Sequence, residues 1–129
     1  MAFEQPGFKD GTREAAADLS AKQFYLVKIN SSAKAAAFAA ATDLPYGVLN
    51  NAPIAGDTCE IVNQGITKTV AGGTVAAGDA LMPDATGRVV TCTPGTDTTK
   101  YQIGIALEGG AIGNTITANV NCIGAGRAA

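Results

Sequence analysis

Ala55-Gly56-Asp57-Thr58-Cys59-Glu60-Ile61-Val62 and Ala77-Gly78-Asp79-Ala80-Leu81-Met82 open in the same way, with their glycines 22 residues apart. Each begins with a small residue, a glycine and an aspartate, and continues into an apolar-rich run. Gly113-Asn114 before Thr115-Ile116-Thr117-Ala118-Asn119-Val120-Asn121 is a looser third copy. Glycine enters positive φ without a steric penalty, and Asp or Asn bonds back to the turn backbone. Gly56, Asp57, Gly78, Asp79, Gly113 and Asn114 are therefore expected as turn residues. Gly65 and Gly87 follow the two aspartates after eight positions, where the chain is expected to reverse again.

Outward from these turns the same grammar continues. Short strands are expected over residues 66–71, 88–93 and 102–107. Upstream, Gln23-Phe24-Tyr25-Leu26-Val27-Lys28-Ile29 reads as a strand. Asn30-Ser31-Ser32 reads as a turn. Residues 33–41 are nearly all alanine. Propensity there favours helix, but the run is shorter than the roughly 12 residues of a marginal helix. Strands flank it, so a strand is expected. Leu44-Pro45-Tyr46-Gly47-Val48-Leu49 leads into the Asn50-Asn51 turn. The pattern predicts an all-β fold, a compact barrel or sandwich rich in glycine turns. Residues 1–22 lack a consistent period and contain Pro6, Gly7 and Gly11. They are expected as an extended N-terminal arm anchored by Phe3, Phe8 and Leu19, with residues 23–129 forming the β domain.

Composition narrows the function. Of the 129 residues 47% are hydrophobic, but aromatics reach only 5% and Trp is absent. So few large side chains give limited apolar area to bury, which favours oligomerisation or docking on a partner. The nine Lys and Arg residues are scattered, so no nucleic-acid partner is expected. Met1-Ala2-Phe3-Glu4-Gln5 lacks a basic start and an apolar run, so no signal peptide is expected and synthesis in a cytoplasm is. No stretch approaches the roughly 20 apolar residues of a membrane helix, so no membrane partner is expected. Cys59, Cys92 and Cys122 are odd in number and none lies in a CxxC pair. They are expected as buried small hydrophobes.

Catalytic chemistry is missing from the sequence. No His is present, which removes the commonest general base and metal ligand. Residues 72–78 are glycine-rich, but no GK[ST] follows, so this is no phosphate loop. Asp57 with Glu60, or Asp79 with Asp84, could pair as acid and base, and the latter two could be weak oxygen ligands. Turn chemistry explains them better. No enzyme activity and no cofactor are expected.

Taken in order, several segments match a known pattern. They are Asp43-Leu44-Pro45-Tyr46-Gly47-Val48-Leu49, Ala55-Gly56-Asp57, Gly65 with Lys68 and Val70, and Val75-Ala76-Ala77-Gly78-Asp79. Asp84-Ala85-Thr86-Gly87-Arg88-Val89, Ile103-Gly104-Ile105-Ala106-Leu107-Glu108 and residues 116–120 complete it. Over roughly residues 22–121 the chain resembles the capsid cement or decoration proteins of tailed bacteriophages. The resemblance implies a β-tulip-like domain and no reaction. It implies a place on the outer capsid surface of the virion after synthesis in the host cytoplasm. It implies the major capsid protein as partner, and a homo-oligomer, with trimer first and dimer next. Phe3, Phe8, Leu19, Leu44, Pro45 and Tyr46 are then the candidate capsid or protomer contacts. Two rival readings fit the sequence less well. A biotinyl or lipoyl carrier would need its lysine at a hairpin tip, and Lys68 sits in an alternating strand. A glycan- or receptor-binding module would want aromatic platforms, and only Tyr25, Tyr46 and Tyr101 offer tyrosine rings.

Overall fold

A computed structural model describes residue 2 and residues 7–129. The fold is all-β, with no helix among the described residues. Its elements are β1 (Phe8–Asp10), β2 (Leu26–Ile29), β3 (Ala35–Ala37), β4 (Gly47–Leu49), β5 (Ile61–Val70), β6 (Ala80–Pro83), β7 (Val89–Thr91), β8 (Tyr101–Gln102), β9 (Gly104–Ala106), β10 (Thr115–Asn121) and β11 (Gly126–Arg127). Nine strands form one sheet in the order β3-β2-β4-β5-β10-β9-β6-β7, with β1 pairing β5 off that path. β8 and β11 make a separate ribbon. The sheet curls into a half-barrel. Its far strand returns to the end of β5, where Ala71 bridges Val89 and the Gly72 amide donates to the Val89 carbonyl at 2.8 Å. The β6–β7 turn also reaches β2, with Leu26 N–H donating to the Gly87 carbonyl at 2.7 Å.

The three turns legible in the sequence share one construction. In 54–57, 76–79 and 111–114 the fourth residue's N–H donates to the first residue's carbonyl, at 3.1, 3.1 and 3.0 Å. The third residue is Gly56, Gly78 or Gly113, with φ of 85°, 88° and 85°. This is the geometry of a type II turn, which needs positive φ at that place. Each turn also clasps a buried alanine on a neighbouring segment through two backbone bonds. Gly56 N–H donates to the Ala15 carbonyl at 3.0 Å, and Ala15 N–H returns to Asp57 at 2.8 Å. Gly78 and Asp79 hold Ala106 in the same way at 2.8 and 2.9 Å, and Gly113 and Asn114 hold Ala71 at 2.8 and 2.8 Å. A methyl side chain on the clasped residue lets the turn approach this closely.

Gly65 departs from the expected reversal. The runs on either side of it join as the ten-residue β5, and Gly65 sits inside that strand with φ 134°. Its missing side chain serves a crossing, because a Cβ there would lie 3.1 Å from the Gly7 Cα. Gly87, in contrast, does close a turn, donating its N–H to the Asp84 carbonyl at 3.2 Å. The alanine run resolves as strand, but only over Ala35–Ala37. The Asp43 carboxylate bends the chain after it by accepting the amides of Ala39 and Ala40. The strand expected over 102–107 splits around buried Ile103 into β8 and β9.

Two cores explain the apolar doublets of the sequence. Successive strand residues face opposite sides. Leu26, Val48 and Val62 enter the barrel interior with Leu81, Ile103, Ile116 and Val120. Their neighbours Val27, Leu49 and Ile61 face the other way, with Ala15, Leu19, Ala35 and Cys59. The N-terminal stretch covers this second face. Phe8–Asp10 pairs with β5, Glu14 and Ala15 bridge Thr58 and Ala35, and Leu19 is 2% exposed. A boundary at residue 22 would cut through the second core.

Candidate docking surfaces

The sequence-derived contact residues divide by burial. Phe3 lies outside the described residues. Phe8 and Leu44 are 69% and 60% exposed. Pro45 is buried and Tyr46 is half-buried. Leu19 is in the second core, so its anchoring is internal to the protomer.

The structure brings Phe8 and Leu44 onto adjoining segments. The Tyr46 hydroxyl donates a short hydrogen bond to the Asp10 carboxylate. Asp10 also accepts the N–H and hydroxyl of Thr12, and Arg13 Nε lies 3.6 Å away. The bonds from Thr12 and Tyr46 and the Arg13 charge hold the Asp10 carboxyl below the usual carboxylate range, while the same contact raises the Tyr46 phenol. Asn63 Nδ2 donates to the Tyr46 carbonyl at 2.9 Å. This network ties the loop before β4 to β1. Leu44 and Phe8 each sit two residues from the tie and project as exposed apolar groups.

Sequence reading missed other exposed apolar side chains. Ile54 and Ile112 sit on two clasping turns, and Ile105 and Leu107 are exposed at β9 and just beyond it. Isoleucine at a turn tip is the one signal that could have marked the first two. Beside β9 an open cleft of about 420 Å³ is lined by Gln102, Gly104, Ile105, Asn121, Gly126 and Arg127. The Arg127 guanidinium stacks on the Tyr101 ring at 5.3 Å. No local motif announces this cleft, since β8, β9, β10 and β11 all contribute.

Asp79 and Asp84, the aspartates of the second turn and of the β6–β7 turn, serve structure. Asp79 accepts the Ala76 amide and the Thr91 hydroxyl, each at 2.9 Å. Asp84 accepts the amides of Thr86 and Arg88 and pairs with Arg88 Nε. No group of three potential metal ligands occurs among the described residues. All three cysteines are buried and unpaired. Burial raises their thiols, Cys122 to about 12, so they stay protonated and weakly nucleophilic at neutral pH.

Comparison with known proteins gives three findings. A family model described as phage cement protein matches residues 5–122. No curated protein matches the sequence. The crystal structure of the head fiber gp8.5 N base in bacteriophage phi29 is similar in fold, with a TM-score of 0.63 and 19% identity, covering 89% of this chain and 92% of that one.

Proposed function

We propose a function from one premise: the chain belongs to the phage cement protein family. Membership makes it a virion structural protein with a head-stabilising role. The finer reading is that it binds the outer surface of the head and clamps neighbouring copies of the major capsid protein. It does so as a small oligomer, a trimer first. The family match over residues 5–122 carries this reading. A shell under internal pressure fails where subunits part. A clip that binds the joined lattice, and not separated subunits, stabilises the lattice by mass action. Phe8 and Leu44 are the contact side chains in this reading, and the Tyr46–Asp10 bond ties their segments together.

Cryo-electron microscopy of particles from the source phage tests it. Density fitted by this fold at local symmetry axes is expected, in copies related by a three-fold. A protein absent from purified particles would refute the role, and a two-fold arrangement would correct the oligomer.

A further inference from the structure

Arg127 has no carboxylate within ion-pair distance among the described residues, although five other Lys or Arg side chains do. Arg127 instead lines the cleft beside β9, with its guanidinium over the Tyr101 ring. No acidic side chain lines that cleft. The walls supply the carboxamides of Gln102 and Asn121. Asn121 Oδ1 is held by the Gly124 amide at 3.0 Å, which leaves its NH₂ group as the free end. Gly126 leaves open space where a side chain would stand, and exposed Ile105 gives an apolar contact.

We infer that this cleft docks an extended acidic peptide segment of the shell protein, an Asp or Glu side chain pairing with Arg127. The inference rests on the cement reading and adds a second contact to it, apart from Phe8 and Leu44. Guanidinium and carboxylate fit each other bidentately. Carboxamides with one donor and one acceptor end match a peptide main chain. The open space at Gly126 lets that main chain come close, as a side chain there would not. The chemistry disfavours a sugar, because no open aromatic face lines the cleft and the Tyr101 ring is stacked against Arg127.

The test uses the full chain and short overlapping peptides spanning the major capsid protein of the source phage. Acidic peptides are expected to bind, and more weakly as salt rises. Amide shifts in NMR spectra should fall on Gln102, Asn121 and Gly126. Arg127→Gln should lose at least about tenfold in affinity, and Arg127→Lys should keep part of it. Asn121→Asp keeps the bond to Gly124, adds a repelling charge, and should also weaken binding. Dispersed spectra of each variant show that it is folded. Bound peptides without acidic preference, shifts elsewhere, unchanged affinity in both charge variants, or capture of acidic oligosaccharides in place of peptides would each overturn the inference. Head binding separates the two levels. Variants that occupy heads as the parent does sink the cleft alone. A parent protein that never occupies heads sinks the cement role as well.

Discussion

Gly78 and Gly104 are glycines for different reasons, and alanine at each reports a different force. Gly78 has φ 88°, with no atom near the place of a Cβ. Gly78→Ala should therefore cost only the left-handed backbone penalty, about 1–2 kcal/mol. Gly104 lies where β9 meets β10, and its Cβ would collide with the Asn119 carbonyl oxygen. Backbone cannot step aside as a side chain can, so Gly104→Ala should cost about 3 kcal/mol or more. Urea denaturation midpoints rank the two, and equal losses would contradict the packing argument. Charge has its own residue-scale signature at Asp43. Its carboxylate accepts the amides of Ala39 and Ala40 and pairs with Lys28 at 3.0 Å. The Ala39 amide first, and then Lys28, lower its pKa. A carboxyl lowered on folding contributes stability that is present above its unfolded pKa. That contribution fades as pH falls through the folded value. Stability should drop on acidification below about pH 4. Asp43→Asn should cost about 1–3 kcal/mol at neutral pH and flatten part of that slope. A parallel slope in the variant would show that other carboxyls carry the acid sensitivity.

Among the elements, the turns were the legible part. Gly56, Gly78 and Gly113 with their Asp or Asn partners are local chemistry, so spacing alone exposes them. What each turn holds was not legible, because Ala15, Ala71 and Ala106 look like any other alanines and are chosen by distant backbone. Gly65 misled for the same reason. Its need comes from Gly7 crossing over β5, not from a local reversal. The N-terminal stretch read as an arm since Ala15 and Leu19 have no period around them, yet both complete the second core. Leu19→Ala should therefore destabilise the isolated protein by about 2–5 kcal/mol. Removing residues 1–22 should unfold that face. Thermal melts of the parent and both variants check the order. A full-arm deletion that melts with the parent would mean that the second core contributes nothing.

For the whole molecule, the division is between a body held by backbone and a surface that keeps large apolar groups in water. The cores are built mainly from Val, Ile, Leu and Ala, with Phe38 the one buried aromatic among the described residues. Clasped turns and long ladders compensate for the shortage of bulk. Phe8, one of only four phenylalanines, is spent outside, 69% exposed, with Leu44 on the segment tied to it by Tyr46 and Asp10. A chain poor in large side chains gains nothing in its own stability from exposing them, and under the proposed cement role they are kept for a partner. The double variant Phe8→Ser, Leu44→Ser should melt within about 0.5 kcal/mol of the parent, since neither side chain is buried. Its binding to expanded heads should fall at least about tenfold, the scale of losing two apolar anchors at an interface. Tyr46→Phe should behave in the opposite way. It removes the bond to Asp10, lowers the melting temperature, and weakens head binding only as far as the patch loses its support. Sedimentation of labelled protein with heads measures the binding, and calorimetry measures the melt. If the double variant occupies heads as the parent does, the patch faces solvent on the particle and the clamp must act through another surface.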